Sequence, residues 1–191
     1  MSKKVLVFLA EGFEEVEAVT PIDYLRRAGI EVCATAIAGN ASVKGSHGIP
    51  VTADSSVSAL SQQGRLNAAS WDGVLLPGGI PGAPNLAAST EVNALLKEMS
   101  DAGKAVCAIC ASPAVVLAPL GILNGRRFTC FPGLEEKVSG AIWSEDRVVI
   151  DRHIITSRGA GTAAEWSIAI ISNLLDEATA QKIAKQVLLK A

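Results

Sequence analysis

Aromatic residues are scarce in this 191-residue chain, at 4%, with a single tyrosine and only two histidines, His47 and His153. Two isolated histidines leave no metal-ligand cluster to read, so no metal site is expected. The four cysteines, Cys33, Cys107, Cys110 and Cys130, are too few for a disulfide-stapled secreted scaffold and read as reduced thiols. Charge of one sign is lacking too. Against 19 Asp plus Glu stand 17 Lys plus Arg, a net of −2, and this offers no positive field for nucleic acid. No apolar run reaches the roughly 18 residues of a membrane span, and segment 5–10 is too short for the centre of a signal peptide. A soluble, cytoplasmic protein is the expectation.

What is present suits one globular body. Hydrophobic residues make up 49% and charged ones 19%, ordinary usage that excludes disorder, and the length implies a single domain over 1–191. Residues 5–9 form an apolar run, 13–28 carry apolar positions near a 3.6 period up to Gly29, and 31–38 are again strand-like. Strand, helix and strand make a parallel crossover, hence an α/β fold. Segment 39–52 reads as a hairpin, 55–67 as a weak helix or polar loop, and 71–76 as a strand ending on the open loop Pro77-Gly78-Gly79. A helix over 90–102 leads to a buried strand at 105–109. Ser112 and Pro113 then suit the start of a helix running through Leu120. A strand at 127–130, a hairpin of 147–150 with 153–156, and helices over 162–175 and 177–189 complete the chain.

In such sheets ligands bind beyond the carboxyl ends of strands, and three ends carry chemistry. Cys110 falls at a strand-to-helix corner, where unsatisfied N–H groups and the helix dipole favour thiolate; Cys33 and Cys107, within strands, read as core. Gly78 and Gly79 offer two unobstructed backbone N–H groups for an oxyanion. Glu14, Glu15 and Glu17 open the first helix, where acids are favoured anyway. Of these, Glu17 shares four-residue spacing with Phe13 and Pro21, so it is the one to point inward with a raised pKa. The run Gly159-Ala160-Gly161-Thr162-Ala163-Ala164 matches G-x-G-x-x-A, but no strand ending in an acid follows, so a dinucleotide cofactor is not expected.

Four motifs in order resemble the DJ-1/ThiJ/PfpI superfamily over nearly the whole chain: 11–17 (Glu-Gly-Phe-Glu-Glu-Val-Glu), 76–79 (Leu-Pro-Gly-Gly), 108–114 around Cys110, and 156–162 (Thr-Ser-Arg-Gly-Ala-Gly-Thr). The branch is that of the Parkinsonism-associated deglycase and its bacterial relatives. The resemblance implies a flavodoxin-like three-layer sandwich, a class I glutamine amidotransferase-like domain, a homodimer, no cofactor, and Cys110 at a strained nucleophile elbow. It assigns Glu17 as a protonated glutamate bonded to the cysteine sulfur, and Gly78 and Ala111 as oxyanion donors with Gly79 shaping the loop. Arg158 is left as a substrate or dimer contact, or more plainly a structural ion pair. Where some members carry a histidine beside the cysteine, Phe131 stands here, which removes the basis for peptidase chemistry; His47 and His153 read as exposed loop residues. The function implied is conversion of reactive dicarbonyls such as methylglyoxal, or of glycated amines and thiols; the alternative is an oxidative-stress sensor or redox-regulated chaperone acting through oxidation of Cys110.

Overall fold

The computed structural model describes residues 2–39 and 41–189. In chain order the main elements are β1 (Lys4–Leu9), α1 (Glu15–Arg27), β2 (Glu31–Ala36), β3 (Ser42–Lys44), β4 (Pro50–Thr52), β5 (Ser55–Ser56) and α2 (Val57–Gln62). They continue with β6 (Gly73–Leu76), α3 (Gly82–Ala88), α4 (Thr90–Asp101), β7 (Ala105–Ile109), β8 (Arg127–Phe128), β9 (Ile142–Trp143), β10 (Val148–Asp151), β11 (Ile154–Ser157), α5 (Ala163–Leu174) and α6 (Glu177–Gln186). A seven-stranded sheet runs β10-β11-β7-β6-β1-β2-β5, parallel except where β10 meets β11. It is a flavodoxin-like α/β sandwich.

Both faces of the sheet are covered, which is why its central strands are apolar without alternation. Val5, Val7 and Leu9 of β1 face α1, α5 and α6, joining Phe13, Trp166 and Ile170. Leu6 and Phe8 face α2, α3 and α4, joining Trp71, Leu86, Leu95 and Met99. The two-residue period of a strand thus sorts one apolar run into two cores. Among the described residues no helix is long and apolar enough to cross a membrane.

Two expected elements come out differently and a third was not expected. The helix foreseen from Ser112 through Leu120 is a single π-helical turn, Pro113–Leu117, because the Ser112 hydroxyl turns inward and donates to the Pro77 carbonyl at 2.6 Å instead of capping. The strand at 127–130 stops at Phe128 and pairs with β9, since the Thr129 amide leaves the ladder for the Thr156 hydroxyl at 2.9 Å. Helix α3 follows the Gly-rich loop directly, in a stretch of Gly, Ala, Pro and Asn that carries no periodic apolar signal.

Candidate active site

Chain order reverses at β1: β2 lies on one side and β6 on the other. At such a switch point the loops leaving neighbouring strands diverge and open a crevice at their carboxyl ends. The loops after β1 and β6 are joined across it, Glu14 N donating to Gly78 O at 3.1 Å and Gly82 N to Gly12 O at 3.0 Å. Glu14 also caps α1, its carboxylate accepting from Glu17 N at 2.7 Å, so the first turn of α1 is held against the β6 loop. This places Glu17 inside, 1% exposed.

Cys110 follows β7 with φ 62°, a left-handed conformation that holds about 1–3 kcal/mol of strain in a non-glycine residue. Two backbone bonds maintain it: Cys110 N donates to Ser157 O at 3.0 Å and Phe131 N donates to Cys110 O at 2.8 Å. The β11 end and the segment after β8 therefore clamp the residue from either side. Its side chain lies beside the Glu17 carboxyl and the Ala111 amide: a Cβ added at Gly78 would be 2.6 Å from Cys110 Cβ, 2.8 Å from Glu17 Oε2 and 3.1 Å from Ala111 N.

The Gly78 amide takes a different partner from the one the resemblance implies: it donates to Glu17 Oε2 at 2.8 Å. It thereby orients the carboxyl, while the Gly79 and Ala111 amides pull the Cys110 thiol pKa down. A side chain at 78 is not possible without movement, because its Cβ would lie 2.6 Å from Cys110 Cβ and 2.8 Å from Glu17 Oε2. The glycine is required by close approach, not by its backbone angles.

Burial raises Glu17 to about 7; the Gly78 amide opposes this, the Glu14 charge adds to it, and the contact with Cys110 opposes it. The thiol does not follow the helix-dipole expectation. Burial and the adjacent Glu17 charge push Cys110 up to about 12 against the pull of the Gly79 and Ala111 amides, and one π-helical turn supplies little dipole. Glu17 and Cys110 thus compete for protons, and a neutral Glu17 is what lets the sulfur carry charge.

Arg158 makes no ion pair among the described residues; its Nη1 donates to the Glu145 carbonyl at 2.8 Å. His153 is half-buried rather than exposed, its Nε2 without a partner, and burial with Arg126 and Arg152 nearby lowers its pKa. The Gly159–Thr162 run closes on itself, Gly159 N donating to Thr162 Oγ1 at 3.1 Å, and α5 is followed by a helix rather than a strand. A crevice of about 430 Å³ lined by Lys3, Asp72, Lys104 and His153 lies at the amino ends of the strands. It is remote from Cys110, and its Asp72 carboxylate is already taken up by Lys3 and the Lys4 amide.

The role of Glu15 has no signature in the linear pattern. This buried carboxylate accepts from His47 N at 2.7 Å, His47 Nδ1 at 2.8 Å, Ser46 Oγ at 3.4 Å and Ile49 N at 3.3 Å, fastening the β3–β4 loop over α1. Glu14, Glu15 and His47 bring three ligand-type atoms within 4.8 Å, but these bonds already occupy Glu15 and the cluster serves as a structural anchor. Burial by itself would raise Glu15, yet the His47 side chain and the backbone donors hold it at about 2. Its folded pKa lies below the usual 4.5, so its stabilisation is complete above that value and is lost as pH falls towards 2. Urea unfolding between pH 5 and 2 is expected to show a shallower loss of stability in Glu15→Gln than in the unmodified chain; equal slopes would refute the anchor.

Residues 3–173 match the family model described as DJ-1/PfpI family. The chain belongs to the DJ-1/PfpI family. It is 39% identical over 191 residues to the Parkinson disease protein 7 homolog of Danio rerio, covering 98% of both chains. A Pyrococcus abyssi protein named a deglycase is 31% identical over 166 residues, 85% of this chain and 94% of that one. Among solved structures, oxidized Toxoplasma gondii DJ-1 superposes with a TM-score of 0.93 at 37% identity over all of both chains. Drosophila melanogaster DJ-1beta gives 0.92 at 35%, again over both whole chains.

Proposed function

We propose that this member of the family is a cysteine-dependent enzyme that converts reactive 2-oxoaldehydes such as methylglyoxal, free or as early adducts on amines and thiols, into 2-hydroxy acids without a cofactor. The observation that carries this is the close approach of Cys110 and the buried Glu17 beside Gly78, where one added carbon would lie 2.6 Å from Cys110 Cβ and 2.8 Å from Glu17 Oε2, with burial raising Glu17 to about 7. A nucleophile and a proton carrier poised at working pH are what the isomerisation needs. The name of the Pyrococcus relative supports the same class of substrate.

In this scheme Glu17 takes the thiol proton and the sulfur adds to the aldehyde carbon. The S–C bond forms as the carbonyl π electrons move to oxygen, which Glu17 then protonates. The Gly79 and Ala111 amides, rather than Gly78, meet that oxygen as charge develops. The Glu17 carboxylate next removes the hydrogen from C1 and returns it to C2, while the hydroxyl proton passes from the C1 oxygen to the C2 oxygen. C1 is oxidised to a thioester as C2 is reduced to a carbinol, so no external oxidant is needed. Water adds to the thioester, the S–C bond breaks, and the hydroxy acid leaves with the thiol restored. With Phe131 in place of a histidine, no second base is required by this route. The chain acts as a homodimer in this reading, in keeping with its family.

Lactate formation from methylglyoxal by the unmodified protein and by Cys110→Ala, with a free thiol as background, tests the proposal. Turnover well above background and lost in the variant is expected. Turnover surviving in Cys110→Ala would overturn it, and none above background would favour selective oxidation of Cys110 as the working chemistry.

A further inference from the structure

Glu17 is buried, and a single added carbon at Gly78 would press on Cys110 Cβ and Glu17 Oε2, so nucleophile and carboxyl meet closely beside Gly78. The group a 2-oxoaldehyde carries on its ketone carbon then meets the side chains that stand around Cys110 once the sulfur has bonded to C1. Two large exposed apolar side chains lie on segments that meet near Cys110. Ile80, 65% exposed, directly follows Gly78-Gly79 in the chain. Phe131, 50% exposed, donates its own amide to the Cys110 carbonyl. A methyl group added at Gly159 would lie 3.7 Å from Phe131 Cδ2 and 3.8 Å from Glu17 Oε1, so the ring edge and the proton carrier flank one and the same gap.

Neither side chain is needed by the core, and single exposed apolar residues require no explanation. Both attach to backbone segments beside the nucleophile, and together they offer apolar surface for a substrate substituent. A methyl group covers little of it, whereas a phenyl or branched alkyl group removes apolar surface from water on both partners.

We infer that Phe131 and Ile80 select 2-oxoaldehydes bearing an aryl or bulky apolar substituent over methylglyoxal. This rests on the dicarbonyl reading above and deepens it. Phe131 is a specificity residue: its ring touches the substituent and not the reacting carbons, so its removal changes the ranking of substrates and not the chemistry.

The test is the ratio of kcat/KM for phenylglyoxal, followed as mandelate, to that for methylglyoxal, followed as lactate. Intrinsic reactivity differences cancel when this ratio is compared between variants. Phe131→Ala is expected to lower the ratio about threefold to tenfold, the range of one aromatic contact. Phe131→Leu, which keeps apolar area but not the ring, should fall between, and Ile80→Ala should lower it in the same direction. A ratio unchanged within twofold in both alanine variants, with turnover of both substrates retained, would overturn the selection and leave the enzyme reading standing. No turnover of either substrate by the unmodified protein would remove the enzyme reading and this inference with it. Should Phe131→Ala fail to fold by its melting curve, Phe131→Leu and Ile80→Ala decide the matter.

Discussion

Glu17→Gln is expected to lose dicarbonyl turnover by about 10²–10⁴-fold, the usual scale for removing general acid–base catalysis, while its cysteine becomes easier to ionise. The amide preserves the shape of the side chain, can still accept from the Gly78 N–H and can donate to sulfur, so the fold is retained. What it cannot do is pick up a proton at C1 and deliver it to C2. At the same time the carboxylate charge that helps hold the Cys110 thiol up at about 12 is gone. Alkylation of Cys110, followed against pH, should therefore extend to lower pH in Glu17→Gln as lactate formation disappears. A merely structural role for Glu17 would move both quantities together. In the unmodified protein, kcat/KM should rise with pH as Glu17 ionises near 7, because the doubly protonated pair has no group to accept the thiol proton. A profile flat between pH 5.5 and 8.5 would refute Glu17 as the proton carrier.

Trp166→Ala is expected to reduce stability by about 3–5 kcal/mol, or roughly 6–20 °C in melting temperature for a chain of this size. Trp166 is fully buried on α5 within the core shared by β1, β7, α1 and α6. Its indole Nε1 donates to Ile155 O of β11 at 3.2 Å. The substitution opens a large cavity and removes that bond two residues before Ser157, whose carbonyl clamps Cys110 N. Since total stabilities are about 5–15 kcal/mol, the loss takes a large share of the margin. Thermal and urea unfolding measure it, and a change below 1 kcal/mol would show that α5 does not hold this face of the sheet.

The framework of the fold was readable because it rests on local patterns. Residues 5–9, 31–36, 73–76 and 105–109 are apolar and β-branched enough to announce buried parallel strands, and Gly29 and Gly103 end the helices before two of them. The segments that escaped reading are those whose conformation is set by distant partners. Ser112 has the identity of a cap, yet it serves the Pro77 carbonyl 35 positions away in sequence. His47 and Glu15, 32 positions apart, give no joint signal in a linear pattern. His153 sits beside a turn, yet it is half-buried with Arg126 and Arg152 nearby.

By itself the sequence determined the alternation of strands and helices, the placing of Cys110 and Gly78-Gly79 just beyond strand ends and of Glu17 in the first turn of the first helix, and membership of a recognisable family, since all of these depend on residue type and spacing. Only the tertiary structure decided which amide serves which atom. Because the strand order reverses at β1, three loops converge and Glu17 accepts from Gly78 N, which occupies that amide. The proton balance between Glu17 and Cys110 was likewise beyond the sequence, because it follows from how much water and how much neighbouring charge surround each group, and both arise only when the loops close.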